Sequence, residues 1–167
     1  MRLPNTPEIT VPAAGEPAEG GDVTPLFHGA QNHCFGCGAV NPVGLRLEFS
    51  VARSEDAAWA VVAQAKVSDL YEGPPGYLHG GIIATLLDEA MSKANRAQGV
   101  TAMTRQMTVE YLRPVPSGGA IRIEGRVSRS EGRKHWTEAR IVGAGEVTLA
   151  QATALFIAIR IPRTNEE

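Results

Sequence analysis

The sequence lacks the features of a membrane protein or a nucleic-acid-binding protein. No apolar run approaches the ~18 residues that a spanning helix needs, and the N-terminal residues contain no apolar segment of a secretory signal. The formal net charge is −2, so the overall charge gives no indication of binding to nucleic acid. We therefore predict a cytoplasmic protein with no membrane partner and no nucleic-acid partner.

Cysteine is also scarce, with two residues in the chain, and a cytoplasmic protein seldom keeps a lasting disulfide. Both lie in the segment HCFGC at residues 33–37. With His28 and His33 they could nominally supply four zinc ligands, but His33 and Cys34 are adjacent and point apart. A redox Cys-x-x-Cys opens a helix, whereas Cys37 is soon followed by Asn-Pro. We expect a compact loop that packs two small thiols, with no metal and no cofactor.

The common catalytic motifs are absent as well. The chain contains no G-x-S-x-G nucleophile elbow, no H-E-x-x-H zinc motif, no Walker A phosphate loop and no G-x-G-x-x-G dinucleotide fingerprint. Any catalysis must therefore depend on residues outside these motifs.

The 167 residues fit one domain with a sizeable core, because 43% of them are hydrophobic. Residues 1–25 are rich in Pro, Gly and acids and poor in large apolar residues, so they cannot bury enough surface to offset the entropy of ordering. We predict a disordered tail over 1–25, a folded domain over 26–162 and a short polar tail over 163–167.

Within the folded domain, apolar periodicity predicts one long helix and about six strands. The helix covers 81–98, a rod of ~27 Å, and Gly99 ends it. Alternation of apolar and polar residues indicates antiparallel strands with one covered face. The predicted strands are 45–53, 58–67, 103–112, 120–130, 133–142 and 147–160. The economical arrangement is an α+β fold whose sheet curls around the helix.

Two acids interrupt the apolar helix, in the segment GYLHGGIIATLLDEAM at 76–91. Glu89 has Lys93 four residues on, so we expect a solvated i,i+4 ion pair there. Asp88 has no cation within reach along the helix, and Asp is a poor residue for a helix interior. It must find partners off the helix or face a cavity, and either environment perturbs its pKa. The pattern alone supports a functional carboxylate and an ordinary surface position equally.

The residues His79-Gly80-Gly81 stand where the helix begins. Free N–H groups at a helix N-terminus, together with the helix dipole, favour a negatively charged oxygen. Gly80 and Asp88 are eight residues apart, which corresponds to ~12 Å along the axis. One carbonyl group therefore reaches both only if the chain before the helix bends back or a second copy of the chain contributes. The spacing leaves both arrangements open.

Several segments together resemble the hot-dog-fold acyl-CoA thioesterases, in their PaaI-like branch. The strongest is EGPPGYLHGGIIATLLDEAM. The five segments, in chain order, lie at 34–49, 72–91, 107–116, 131–136 and 152–160. The resemblance implies a hot-dog fold and the hydrolysis of an acyl-CoA to a carboxylic acid and free CoA, with no cofactor beyond the CoA of the substrate.

The resemblance also implies roles for individual residues. Asp88 corresponds to the catalytic carboxylate, acting as base or nucleophile, and Gly80 to the backbone N–H that polarises the thioester carbonyl, with Gly81 as a possible second donor. His79 corresponds to the His that shapes this loop. Thr104 corresponds to the hydroxyl residue that positions the attack, supplied by the other subunit of a dimer. Some relatives carry an Asn near the position of Gly73, so this chain departs from them there.

The same resemblance implies a homo-oligomer, either a dimer or a dimer of dimers, with shared active sites. An excess of basic residues over 113–140 would suit the phosphates of CoA, and Arg113, Arg133 and Lys134 lie near turns where phosphates could bind. For any one of these cations an ordinary surface charge is the commoner role. Two other functions remain open: a non-catalytic acyl-CoA-binding protein and a hydratase or dehydratase of the same fold. The class of acyl chain is not predicted.

Overall fold

The computed structural model describes the backbone of Val23–Pro25 and residues 31–52 and 59–159 in full. Within these residues one α-helix packs against one antiparallel sheet of seven strands. The strands are β1 (Val23–Pro25), β2 (Ser50–Ala52), β3 (Val61–Lys66), β4 (Ala102–Tyr111), β5 (Ala120–Glu131), β6 (Lys134–Val142) and β7 (Thr148–Ala158). Their order across the sheet is β1-β2-β3-β5-β6-β7-β4. The helix α1 covers Gly80–Ala97, and short 3-10 turns cover Asp69–Tyr71 and Ala144–Glu146.

The helix α1 confirms the predicted element to within one residue at each end. It begins after His79, whose ring caps the first turn, and the chain leaves it at Gly99, which has a φ of 74° that favours glycine. Its apolar stripe is buried against the sheet: Ile83, Leu86, Leu87, Ala90, Met91 and Ala94. The predicted hot-dog arrangement of an antiparallel sheet around one helix is therefore confirmed.

The sheet approaches the helix most closely at β5. A Cβ added at Gly125 would lie 2.5 Å from the carbonyl oxygen of Ala90, so only glycine allows this contact. The neighbouring inward-facing residues Ile121 and Ile123 are buried. The guanidinium groups of Arg126 and Arg140 pack on the ring of Trp59, 4.8 and 4.9 Å from its centroid. The alternation read from the sequence thus separates a core face from a polar face.

The first predicted strand, 45–53, is wrong in its extent. Leu45, Leu47 and Phe49 are buried as their alternation predicted, but the ladder is confined to β2. The backbone N–H groups of Leu45 and Leu47 instead donate to the carbonyl groups of Phe35 and Gly36, at 2.7 and 2.8 Å. This segment therefore pairs with the loop at residues 33–37, which we call the cysteine loop, rather than with a strand.

The predicted tail boundary is also wrong for its last three residues. Val23–Pro25 form β1 and pair with Ser50–Ala52, which adds one strand to the predicted six. Residues 1–22, 26–30 and 160–167 lie outside the described part of the chain, so the rest of the predicted tails and domain ends are not tested. No helix within the described residues is long and apolar enough to cross a membrane.

Strand β4 lies at one edge of the sheet and pairs only with β7 among the described strands. Seven of its ten residues are exposed and none is fully buried. Met103 and Tyr111 expose 60% and 55% of their surface. Such a long, open edge is normally paired or covered, and β4 also carries a residue of the candidate site.

Candidate active site

Asp88 and Thr104 meet where α1 crosses the beginning of β4. The Thr104 hydroxyl donates a hydrogen bond of 2.6 Å to Oδ1 of Asp88. Both residues belong to the same chain, which argues against the expectation that Thr104 comes from a second subunit. The strand that follows the helix runs antiparallel to β7 and places Thr104 beside the third turn of its own helix.

The Asp88 carboxylate occupies a half-buried position. Burial raises its pKa above the ordinary value for Asp, the hydrogen bond from Thr104 opposes this rise, and the negative charge of Glu89 adds to it. A carboxylate with a raised pKa is a better proton acceptor than an ordinary surface Asp. The off-helix partner that the sequence demanded is therefore Thr104.

His79 caps the start of α1 through its side chain. The N–H of Gly81 donates to Nδ1 of His79 at 3.0 Å, so this nitrogen is an acceptor and the neutral ring carries its proton on Nε2. The amide of Gly81 is therefore occupied, which argues against its predicted role as a second donor to the substrate. The N–H of Gly80 has no acceptor among the described residues and is the free donor at this helix end.

Three residues that the sequence did not single out hold the loop before the helix. Glu72 Oε1 accepts hydrogen bonds from the N–H of Gly76 at 2.9 Å and from the hydroxyl of Ser117. The hydroxyl of Tyr111 donates to the carbonyl of Gly80 at 3.2 Å. The contacts of Ser117 and Tyr111 join segments 45 and 31 residues apart in sequence, so no local pattern could have revealed these two.

Gly73 also lies in this loop, close to the start of the helix. A Cβ there would lie 3.3 Å from Cα of His79, which is a tight contact with backbone. The backbone N–H of His79 donates to Tyr71 at 2.9 Å, and this bond keeps His79 close to the turn. Gly73 therefore permits the approach that fixes the start of the helix.

The two halves of the candidate site remain apart within one chain. Gly80 begins the helix, and Asp88 lies two turns further on, ~12 Å away along the axis. One end offers a free N–H, and the other offers a carboxylate with its hydroxyl partner. A single thioester carbonyl cannot contact both groups of the same chain.

The three cations predicted for phosphate binding are not brought together. Arg113 follows the end of β4, and its guanidinium donates to the carbonyl of Thr148 at 3.3 Å. Arg133 donates to the carbonyl of Ala158 at 3.0 Å, and Lys134 is exposed beside it in the β5–β6 hairpin. These residues lie at opposite ends of the β4–β7 ladder, so they do not form one anion site in a single chain.

The expected solvated pair of Glu89 and Lys93 is wrong in its surroundings. The pair exists, with 2.5 Å between Lys93 Nζ and Glu89 Oε1, but the residues are only 8% and 4% exposed. Burial alone would lower the pKa of Lys93, and the charge of Glu89 together with contacts to Cys37 reverses this, so the net shift is upward. The cysteine loop covers the pair, which the sequence could not show because the loop lies 52 residues or more from Glu89 and Lys93 along the chain.

Comparisons of this chain with a family model, with curated proteins and with solved structures all find similarity to thioesterases. Residues 75–150 match the model of the thioesterase superfamily. The acyl-coenzyme A thioesterase THEM4 of Xenopus laevis is 40% identical over 87 residues, which cover 52% of this chain and 39% of that protein. The chain spans about two fifths of the length of this curated relative and of its rat and mouse counterparts.

Solved structures extend the similarity beyond the matched segment. The crystal structure of a thioesterase superfamily protein is 28% identical, with a TM-score of 0.70, and the match covers 77% of this chain and 62% of that one. A Bacillus halodurans protein solved with CoA is 26% identical, with a TM-score of 0.55 over 60% of this chain and 68% of that one. The PaaI protein of Escherichia coli, from a phenylacetic acid degradation operon, shares the fold at 23% identity, with a TM-score of 0.57 over 60% of this chain and 72% of that one. Residues 75–150 therefore match the thioesterase superfamily, and the described residues have the hot-dog fold of its solved members.

Proposed function

We propose that this protein is an acyl-CoA thioesterase, which hydrolyses an acyl-CoA to a carboxylic acid and free CoA. The observation that carries this proposal is the contact between Asp88 and Thr104, a half-buried carboxylate held by one hydroxyl beside an open strand edge. The similarity to acyl-coenzyme A thioesterases and to a structure solved with CoA supports the choice of substrate.

The chemistry follows from the remaining acceptor capacity of Asp88. Thr104 occupies Oδ1, which leaves Oδ2 to take the proton of an attacking water. The free N–H of Gly80 stabilises the negative charge that develops on the thioester oxygen. The thiolate of CoA then leaves, and the acid product retains the oxygen of the water.

Two copies of the chain complete each site in this proposal. Gly80 and Asp88 are too far apart within one helix to act on the same carbonyl. The exposed edge and faces of β4, next to Thr104 and Tyr111, offer a surface on which a second copy can pack. The donor that completes the site of Asp88 is then the N–H of Gly80 of the partner subunit, and Thr104 acts with Asp88 of its own chain.

A subunit-mixing experiment tests this arrangement. Gly80 is the first residue of α1, where proline is tolerated, and the extended backbone of His79 (φ −62°, ψ 140°) suits a residue before proline. Gly80→Pro therefore removes the N–H with the helix retained. Mixing inactive Gly80→Pro with inactive Asp88→Ala under subunit exchange should restore one intact site per mixed dimer, about a quarter of wild-type activity in a statistical mixture.

The matched control mixes Asp88→Ala with Thr104→Ala. Because these two residues act in one chain, no mixed dimer contains an intact site, and activity should not recover. Recovery in the control would show that Thr104 of one subunit acts with Asp88 of the other. Failure of the first mixture despite proven exchange would refute the shared site.

The reaction itself is tested with a panel of acyl-CoAs and a thiol reagent that reports free CoA. Stoichiometric release of thiol and acid supports the thioesterase. Tight binding without release would identify an acyl-CoA-binding protein, and a product still attached to CoA but altered in its acyl chain would identify a hydratase or dehydratase. Aliphatic and aromatic members of the panel also establish the class of acyl group.

A further inference from the structure

The thioesterase reaction leaves one partly buried polar cluster without a role. The dithiol cluster consists of Cys34, Cys37, Glu89 and Lys93. Lys93 Nζ donates to Cys37 Sγ at 2.9 Å, and Cys34 Sγ donates to Glu89 Oε2 at 3.7 Å. The sulfur atoms and a carboxylate oxygen of Glu89 lie within 4.8 Å of one another. Two thiols of the cysteine loop thus contact an acid and an ammonium group of the helix that carries Asp88.

We propose that Cys34 and Cys37 form a reversible disulfide when the protein reacts with hydrogen peroxide, and that this pair is a redox modification site. The proposal concerns the cysteine loop and goes beyond the thioesterase activity. It differs from a structural disulfide because the two residues are free thiols in the structure.

The backbone already holds the two cysteines at a suitable separation. Residues 35–37 form a turn, and the N–H of Gly38 donates to the carbonyl of Cys34 at 2.8 Å. In such a helix-like turn, residues three apart have Cα atoms ~5 Å apart, inside the ~4.4–6.8 Å that a disulfide spans. A Cβ at Gly36 or Gly38 would collide with Glu89 or with the backbone of Cys34, so the glycines on either side of Cys37 allow this tight loop.

The environments of the two thiols assign different roles to them. Cys34 is the more exposed, and its thiol hydrogen bonds to the Glu89 carboxylate. Burial, reinforced by Glu89, raises the pKa of Cys37 to about 12. Cys37 therefore remains a protonated thiol, which reacts slowly with peroxide. An exposed thiol beside a second, protected thiol is the arrangement of a redox-sensing pair.

The chemistry balances in two steps. The sulfur of Cys34 attacks peroxide, which breaks the O–O bond and gives a sulfenic acid and one water. The sulfur of Cys37 then attacks the Cys34 sulfenic sulfur, its proton joins the departing hydroxide, and a disulfide and a second water form. Both thiols are oxidised by one peroxide, and an external dithiol reverses the change by exchange.

Lys93 argues against a metal ion as the natural occupant of this cluster. Its ammonium group already lies 2.5 Å from Glu89 and 2.9 Å from Cys37, so a positive charge occupies the space between two of the three possible ligands. A zinc site would need both thiols as thiolates, whereas Cys37 holds its proton. The expectation of no metal therefore remains a prediction.

The test uses the full chain, reduced and then freed of reductant. After brief treatment with hydrogen peroxide and denaturing alkylation, intact mass should show the loss of two hydrogen atoms and no alkylated cysteine. Dithiothreitol should restore two alkylatable thiols, the full number in the chain. A mass unchanged after peroxide, or a disulfide that joins two chains, would overturn the proposal.

Two single variants test the division of roles. In Cys37→Ser, Cys34 should give a sulfenic acid that dimedone traps, because no thiol remains to resolve it. In Cys34→Ser, Cys37 should remain unmodified over the same time. Equal peroxide reactivity of the two variants would contradict the proposed order, and one equivalent of zinc in the purified protein, protecting both thiols, would identify a metal site instead.

Discussion

The hydroxyl of Thr104 lies 2.6 Å from Oδ1 of Asp88, although 16 residues separate them in the chain. This contact joins the middle of α1 to the edge strand β4, and it partly offsets the effect of burial on the carboxylate. The proton affinity of Asp88 therefore depends on a residue that another element supplies, and several measurable consequences follow from that dependence.

Thr104→Ala should move the acid limb of the kcat/KM profile to higher pH. Loss of the hydrogen bond removes the influence that lowers the Asp88 pKa, so burial raises it further. The reactive form is the carboxylate, and more alkaline solution is then needed to populate it. A pH–rate profile measures the shift, and Thr104→Ser, which keeps the hydroxyl, should retain the wild-type limb. An unchanged limb in the Ala variant would show that this hydrogen bond does not act on the base.

Asp88→Asn should lower kcat by about 10²–10⁴-fold, the usual contribution of a general base, and should stabilise the fold at neutral pH. A raised folded-state pKa means that the folded protein binds the Asp88 proton more tightly than the unfolded chain. Wild-type stability therefore falls as pH rises from ~3.9 through the folded-state pKa. The neutral amide avoids this loss, so its melting temperature should exceed the wild-type value at pH 7 and converge with it in acid. Wild-type hydrolysis by this variant would exclude Asp88 as the base.

Gly80→Pro should lower kcat by roughly 10²–10³-fold, the typical effect of removing one oxyanion donor. The matched control is Gly80→Ala, which keeps the N–H and places its Cβ at an ordinary 3.6 Å from the Tyr111 ring. Circular dichroism should show helix content retained in both variants. Equal activity of the Pro and Ala variants would remove Gly80 from the proposed mechanism.

Glu89→Gln should keep kcat within about tenfold, or ~1.4 kcal/mol, because Glu89 faces the cysteine loop rather than the reacting carbonyl. The variant should lose stability, since it leaves Lys93 buried without its counter-charge, and breaking such a pair costs ~3–5 kcal/mol. Denaturant unfolding measures the loss. Removing both charges in Glu89→Gln/Lys93→Met should cost less than the two single losses combined. A large fall in kcat with stability retained would give Glu89 a catalytic role.

A chain that starts at Leu26 should melt at a lower temperature than one that starts at Glu19. Removal of the residues before Leu26 deletes β1 and exposes the backbone N–H and C=O groups of Ser50–Ala52 that pair with it. The residues before β1 are rich in Pro and Gly, so their removal should have little effect. Calorimetry of the two truncated chains and the full chain makes the comparison, and equal melting temperatures would show that β1 contributes nothing measurable.

The sequence was informative where local patterns determine structure. The apolar spacing of α1 and the glycine at its end predicted the helix to within one residue. The resemblance then gave the fold and pointed to Asp88, Gly80 and His79. The pattern could not show which subunit supplies Thr104, because that depends on how β4 returns across the helix.

Two of the remaining errors share a physical cause. Glu89 and Lys93 had the spacing of a surface pair, and only the distant cysteine loop makes them buried. Likewise, Leu45 and Leu47 had strand periodicity, but their N–H groups pair with that same loop. In both cases a long-range contact replaced the local interaction. The cytoplasmic location and the absence of a cofactor remain predictions from the sequence.

The open edge of β4 gives the proposed pairing of two chains a consequence for stability. If a second copy covers this strand, association adds to the free energy of folding by mass action, so the melting temperature should rise with protein concentration. Dilution then separates the two halves of every site before it unfolds the chain. Specific activity should therefore fall at concentrations where the isolated subunit is still folded, so the proposed activity would respond to the amount of protein present.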